Sequence, residues 1–337
     1  MTVNMAPTHP PRFWLITSPR TASNLLVKIL NLDAQNVRPA ENGGYFFLQA
    51  AVKRFSFLDT PLSTWKKEDR EAVYAAQQGA FDKLQEYLAG AEQEGQRVFV
   101  KEHAFVMNDA HYESEHIYGP DPAAGEPGTL VAQGIEHPTR SALNLTSLPD
   151  EFLKTWRPTF LIRHPAMMLP SLYRTCIKDD VNGFVVDGRP ARPGKEPIKP
   201  EVTMKWIMAL YNFYTAHFGE NSDWPIVLDA DDIMLNPQIV TKYASLIGFD
   251  VDKLQFEWEK ASEEKLQNMT PAGRIMLSSL NSSCGVDKGK VAGAVDIDAE
   301  AAKWRVEFGE EGGRNLEQWV REAMPDYLSL HAKRLRL

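Results

Sequence analysis

Cysteine is almost missing from this chain: among 337 residues there are two, Cys176 and Cys284. Neither has paired spacing or a His/Cys cluster around it, so a disulfide framework and a structural metal module are excluded and both read as reduced thiols. An excess of positive charge is missing as well. With 37 Lys and Arg against 45 Asp and Glu the net charge is -8, so no general affinity for nucleic acid or an anionic membrane surface is expected. A polyanion would have to be held in a local pocket. Long apolar runs are absent too: no segment has roughly 18 uninterrupted apolar residues, and residues 1–12 lack an apolar core of about 7 to 15. A cytoplasmic protein is the expectation.

What is present is a globular composition, 43% hydrophobic and 24% charged, read here as one α/β domain over residues 1–337. Residues 13–16, Phe-Trp-Leu-Ile, predict a buried strand, and after a polar turn Leu25, Leu26, Ile29 and Leu30 begin a helical period. Val73, Ala76, Ala80, Phe81, Leu84 and Leu88 predict a further helix, closed by Gly95 before a second strand at 97–101. Residues 158–163 and 225–229 predict a third and a fourth strand. Helices carrying Met168, Leu172 and Cys176, and Trp206, Leu210 and Tyr214, lie between them. Asn236 as N-cap, Pro237 in the first turn and Gly248 past the end bound the next helix. Residues 111–147 show no period and read as an insertion or long active-site loop, and residues 179–200, broken by Gly and Pro, as a lid or a linker. A Ser/Gly/Lys loop at 274–293 and helices near 301–304 and 316–320 complete the chain. The alternation predicts a mostly parallel sheet covered on both faces, with ligands at the carboxyl ends of its strands.

Three constellations fall at such ends. The first is the turn Ser18-Pro19-Arg20-Thr21-Ala22-Ser23-Asn24, which has no glycine and so is not the ATP/GTP loop GxxxxGK[ST]. A helix start nevertheless presents unpaired N–H groups and the positive end of its dipole, and Arg20, Thr21, Ser23 and Asn24 add donors there. The second is Lys101-Glu102-His103. A histidine in that place can take a proton from a hydroxyl, or serve as a hydrogen-bonded structural residue. The third is Arg163, with Ser171 eight residues later just inside a helix. Together they can present a guanidinium and a hydroxyl to one phosphate, or the arginine can pair with a surface carboxylate. Tyr45, Phe46 and Phe47, after a glycine turn, could line an acceptor pocket or pack into core.

Pro19-Arg20-Thr21-Ala22-Ser23 resembles the 5′-phosphosulfate loop of the sulfotransferases. Arg163-His164-Pro165 with Ser171-Leu172-Tyr173 is similar to the 3′-phosphate motif of those that use 3′-phosphoadenosine 5′-phosphosulfate, PAPS. Lys101-Glu102-His103 resembles the family's Lys-x-His, and Ala230-Asp231-Asp232-Ile233 stands where the family has Tyr-Glu-Asp-Leu. Residues 303–309 and 324–327 resemble the tail of bacterial and fungal members. The resemblance implies a three-layer P-loop α/β fold and transfer of a sulfuryl group from PAPS to a small-molecule hydroxyl acceptor, with PAP as product and no metal. It implies His103 as the base, with Arg20 and Lys101 completing the catalytic set. Arg20, Thr21, Ala22, Ser23 and Asn24 would surround the 5′-phosphosulfate, and Arg163 and Ser171 would hold the 3′-phosphate. For the family's final nucleotide loop the best candidate is Lys288-Gly289-Lys290.

The sequence departs from the family pattern in four places. Ala22 replaces a glycine, Asn24 a hydroxyl residue and Ala230 a tyrosine, and the final Arg-Lys-Gly loop has no close match. Two other classes therefore stay open: a non-catalytic bisphosphate-binding protein, and a kinase or NTPase in which Asp229, Asp231 and Asp232 would hold a metal.

Overall fold

A computed structural model describes residues 11–178, 185–186, 189–190 and 196–337. Its centre is a sheet of four parallel strands: β1 (Arg12–Thr17), β2 (Val98–His103), β3 (Trp156–Ile162) and β4 (Ile226–Asp229), in the order β2-β1-β3-β4. The strands read as continuous apolar runs because both faces are covered. Trp14, Ile16, Val98, Val100, Phe160 and Ile162 pack into one core. Their alternating neighbours Phe13, Leu15, Phe99 and Leu161 pack into another. This period of two splits each strand between the layers.

Helices α1 (Ser23–Leu30), α2 (Leu48–Phe55), α3 (Lys67–Gln93), α4 (Ala110–Tyr118), α5 (Pro165–Cys176), α6 (Lys205–Phe218), α7 (Ala230–Leu235), α8 (Pro237–Leu246) and the long α9 (Ile297–Ala332) carry the layers. Leu26, Ile29 and Leu30 of α1 and Ile239, Val240 and Tyr243 of α8 cover one face. Phe81 and Leu84 of α3 and Trp206, Leu210 and Tyr214 of α6 cover the other. The chain leaves β1 for β2 on one side and then β3 on the opposite side. That reversal opens a crevice at the carboxyl ends of β1 and β3, where such sheets bind ligands.

Several sequence expectations need adjustment. The stretch from 111 to 147 opens with α4, which Asp109 caps by accepting from the His111 N–H. Its fully buried positions are Glu113 and Ser114, with Tyr112 and Ile117 only partly buried against the core, so it shows no clear hydrophobic period. Glu113 instead forms a wholly buried pair with Arg54 of α2 at 2.7 Å. The second strand continues through His103 rather than stopping at Lys101. Asn236 and Pro237 do start α8, although the Asn236 side chain makes no capping bond. The two expected C-terminal helices run together as α9, broken at Gly309, whose φ of 80° no interior helical residue adopts. The 274–293 loop contains short helical turns at Ser278–Asn281 and Lys288–Lys290. Much of the 179–200 segment lies outside the described residues; within it Val185–Val186 pairs antiparallel with Arg189–Pro190.

Candidate active site

The turn after β1 is tight without glycine. Arg20 and Ala22 both adopt left-handed conformations, at φ 64° and 63°, a region that costs an L-residue about 1–2 kcal/mol. Ala22 is the N-cap of α1 and offers no side-chain cap, so the first-turn N–H groups stay open toward the crevice, an anion-binding arrangement. Thr21 is taken up internally: its hydroxyl donates to the Ser18 carbonyl at 2.9 Å. It is not a free donor in this geometry.

Two groups of side chains flank this opening. On the β3 side, Arg20 turns its guanidinium to Ser171, donating from Nε to Oγ at 2.9 Å and from Nη1 to the Met276 carbonyl at 2.9 Å. Arg163, just past β3, donates from Nη1 to the Arg20 carbonyl at 3.0 Å and from Nη2 to the Lys290 carbonyl at 2.6 Å. The buried Arg163 Nε has no partner among the described residues. Four predicted residues, Arg20, Arg163, Ser171 and Lys290, thus meet at one place. Lys288 and Gly289 are exposed on the same turn, and the Gly289 N–H is held by Asp287. Two arginines so close together need counter-charge, and burial lowers the pKa of both.

On the β2 side stand Ser23, Asn24, Lys101, His103 and Tyr45. Lys101 donates to Asn24 Oδ1 and lies 4.4 Å from the Tyr45 ring centroid. Burial lowers its pKa to about 8, against the pull of Glu102. His103 Nδ1 is 2.6 Å from Thr17 Oγ1, and Nε2 is 3.1 Å from the Tyr45 hydroxyl. With the Thr17 proton assigned to the Glu102 carbonyl at 3.2 Å, His103 is the donor in the Thr17 contact. Its proton is therefore on Nδ1, and Nε2 carries the lone pair. Burial, with Lys101 nearby, pushes the imidazole down to about 3. It is neutral at physiological pH, as a base must be before it reacts.

The intervening Glu102 faces the opposite layer. Its Oε1 accepts the backbone N–H groups of Phe46 and Phe47, while burial raises its pKa to about 8 and leaves Oε2 without a partner among the described residues. The segment 44–47 therefore crosses the open edge of β2, with Tyr45 on the His103 face and Phe47 buried on the other. Gly44 permits the crossing: at φ 94°, a Cβ there would come within 3.3 Å of the Lys101 nitrogen. Thr17 and this clamp were not singled out in the sequence. The register pairing Thr17 with His103 is the feature that brings Thr17 in.

The acids proposed as metal holders each have another task. Asp229 caps α7 through the Asp231 N–H and accepts from the Tyr327 hydroxyl. Asp231 accepts from the Ala292 and Gly293 N–H groups. Asp232 pairs with Arg334 at 2.8 Å. Among the described residues no helix is long and apolar enough to cross a membrane.

Two relatives match nearly the whole chain. Sulfotransferase ppzF of Metarhizium rileyi (strain RCEF 4871) is 40% identical over 347 residues, covering 98% of this chain and 98% of its own length. Sulfotransferase ppzF of Metarhizium majus (strain ARSEF 297) is 41% identical over 348 residues, 97% of each. No family model matches the chain, and no solved structure matches it.

Proposed function

The chain belongs to the sulfotransferase family, which makes it a transferase, and we propose that it moves the sulfuryl group of PAPS to a hydroxyl of a small-molecule acceptor. The observation that carries the donor assignment is the Arg20–Ser171–Arg163 cluster beside an uncapped helix start, with a buried Arg163 Nε that has no partner among the described residues. A group with two separate anionic ends fits both features. In this reading Arg163 and Ser171 hold the 3′-phosphate, and Arg20 joins them. Its observed bond to Ser171 supports moving it from the 5′ end, where the family resemblance alone would put it. The open N–H groups of α1, with Ser23, Asn24 and Lys101, serve the 5′-phosphosulfate.

His103 is the base. Its Nε2 lone pair takes the proton as the acceptor oxygen bonds to sulfur and the sulfur–oxygen bond to the phosphate breaks, leaving PAP. Positioning and charge stabilisation do most of the catalysis in such transfers. As the imidazole gains its proton, the neighbouring negative charge of the donor offsets the burial that holds its pKa down. Arginine stays protonated, so Arg20 can stabilise anionic oxygen but not donate it a proton.

The test is a thermal-shift titration with PAP, ADP, and ATP or GTP with Mg²⁺. At about a hundred times its dissociation constant a ligand stabilises the fold by about 2.7 kcal/mol. Selective stabilisation by PAP is expected. A response only to ATP or GTP with Mg²⁺ would refute the donor assignment.

A further inference from the structure

The proposed reaction leaves one contact unexplained: Nε2 of His103, which must receive the acceptor's proton, already faces the Tyr45 hydroxyl within hydrogen-bond distance. The Tyr45 hydroxyl lies 3.1 Å from His103 Nε2, and Ser23 of the donor loop is near enough to influence its titration. Its ring is fixed on two sides, 4.4 Å from Lys101 Nζ and 5.0 Å between centroids from His103. A hydroxyl lodged between the base and the anion loop occupies the position that an attacking oxygen requires.

The surroundings let it leave. Phe46 and Phe47 are tied down by Glu102, and Phe47 is buried, so motion has to come from the residues before them. Gly43 and Gly44 stand there at φ 66° and 94°. Beneath them is a cavity of about 300 Å³, lined by Lys28, Asn31, Arg38, Gly43, Gly44 and Lys101, rather than packed core. A swing about this turn gives up the ring's contacts with Lys101 and His103 but leaves the Glu102 bonds to Phe46 and Phe47 in place.

We propose that Tyr45 is a seat-holder: its phenol fills the acceptor's place on His103, keeps water from the base while the donor is bound, and swings out over the Gly43–Gly44 turn when the acceptor enters. This rests on the sulfotransferase reading of the site. Water is the competitor that the device excludes. If water reached Nε2, its oxygen would bond to sulfur, the bond from sulfur to the phosphate would break, His103 would take the proton, and PAP and sulfate would form.

The experiment measures PAP release from PAPS with no acceptor present, for the wild-type protein and for Tyr45→Ala, Tyr45→Phe and Tyr45→Ala/His103→Ala. PAP binding by each is checked by thermal shift. Tyr45→Ala should release PAP faster by about a hundredfold, the lower end of what a positioned general base contributes. Tyr45→Phe, which keeps the ring volume, should rise far less, and the double variant should fall back to the wild-type level. A merely structural role for Tyr45 would not accelerate anything. A gain in wild-type protein of one sulfuryl mass on Tyr45, from PAPS alone, would also put its oxygen in the attacking position. Unchanged release in a Tyr45→Ala variant that still binds PAP, with no such mass gain, overturns the seat-holder. Failure of the wild type to bind PAP overturns the donor assignment instead.

Discussion

Replacing Ala22 by glycine should stabilise this protein, against the usual expectation for a glycine substitution. Ala22 sits at φ 63°, ψ 22°, where its Cβ crowds the neighbouring carbonyl at a cost of about 1–2 kcal/mol. Glycine removes that strain but gives the unfolded chain more freedom, which subtracts about 0.4–1 kcal/mol. The net gain falls between about 0 and 1.6 kcal/mol and centres on about 0.8 kcal/mol. With an unfolding entropy of about 2.1 cal/mol/K per residue over 337 residues, the melting temperature rises by about 1 °C. Differential scanning calorimetry with replicate scans resolves this, and urea midpoints give an independent value. Ala22→Val supplies the opposite sign, since a β-branched residue tolerates this region least. A lower melting temperature for Ala22→Gly, or indifference to Ala22→Val, would refute the left-handed geometry and with it the account of the loop.

Three further outcomes follow from the site and its supports. Arg163→Ala should weaken PAP by about 1.5–3 kcal/mol, the range of a hydrogen bond to a charged group, and leave ADP little changed; calorimetric titration of both nucleotides checks it. Glu113→Ala leaves Arg54 charged and buried, and should lower stability by about 3–5 kcal/mol in urea unfolding, whereas Arg54→Met/Glu113→Leu should come close to wild type. The neutral imidazole of His103 makes stability acid-sensitive. The unfolded chain takes up that proton near the usual histidine pKa and the folded chain only at about 3, so stability present above pH 6.5 is lost as pH falls toward 3, at about 1.4 kcal/mol per pH unit. His103→Asn should flatten the slope of unfolding free energy over that window, and an unaltered slope would contradict the buried neutral imidazole.

The strands were legible because each is a short apolar run buried on both faces, and the site's outline was legible because its residues follow strand ends. Arg163 and Ser171 were expected to share one phosphate and Arg20 to serve the other end of the donor; Arg20 instead bonds Ser171, 151 positions away, which no local pattern announces. What stayed hidden depends on pairing across the chain. α4 lacked a hydrophobic period because its inward side carries Glu113, and the matching Arg54 lies 59 residues away. Thr17 gave no local sign of orienting His103, since only the register of β1 on β2 brings them together. Ala22 appeared in the sequence as a departure from a glycine. Its backbone keeps the conformation for which glycine is suited, so the turn survives the substitution at the cost of strain.

Strand register also explains how one short segment can supply both a base and the means of covering it. Thr17 pairs with His103 on one side and with Leu161 on the other, and Ile162 pairs with Asp229. All four strands therefore end within a residue of one level, and the loops that follow them share one crevice. Along β2, Phe99, Lys101 and His103 face one layer, while Val98, Val100 and Glu102 face the other. A slip of one residue would exchange these sets, turning the imidazole into the apolar core and the carboxylate toward the anion site. With the observed register the anion site has Lys101 and a neutral His103 on its own face, and Glu102 holds the 46–47 backbone from behind the strand. Glu102 thus fixes the segment bearing Tyr45 from the far face, where burial disfavours its charged form, and sets no negative charge against a polyanionic donor. β2 can do this because it is an edge strand, whose free side lets a chain pass from one face of the sheet to the other.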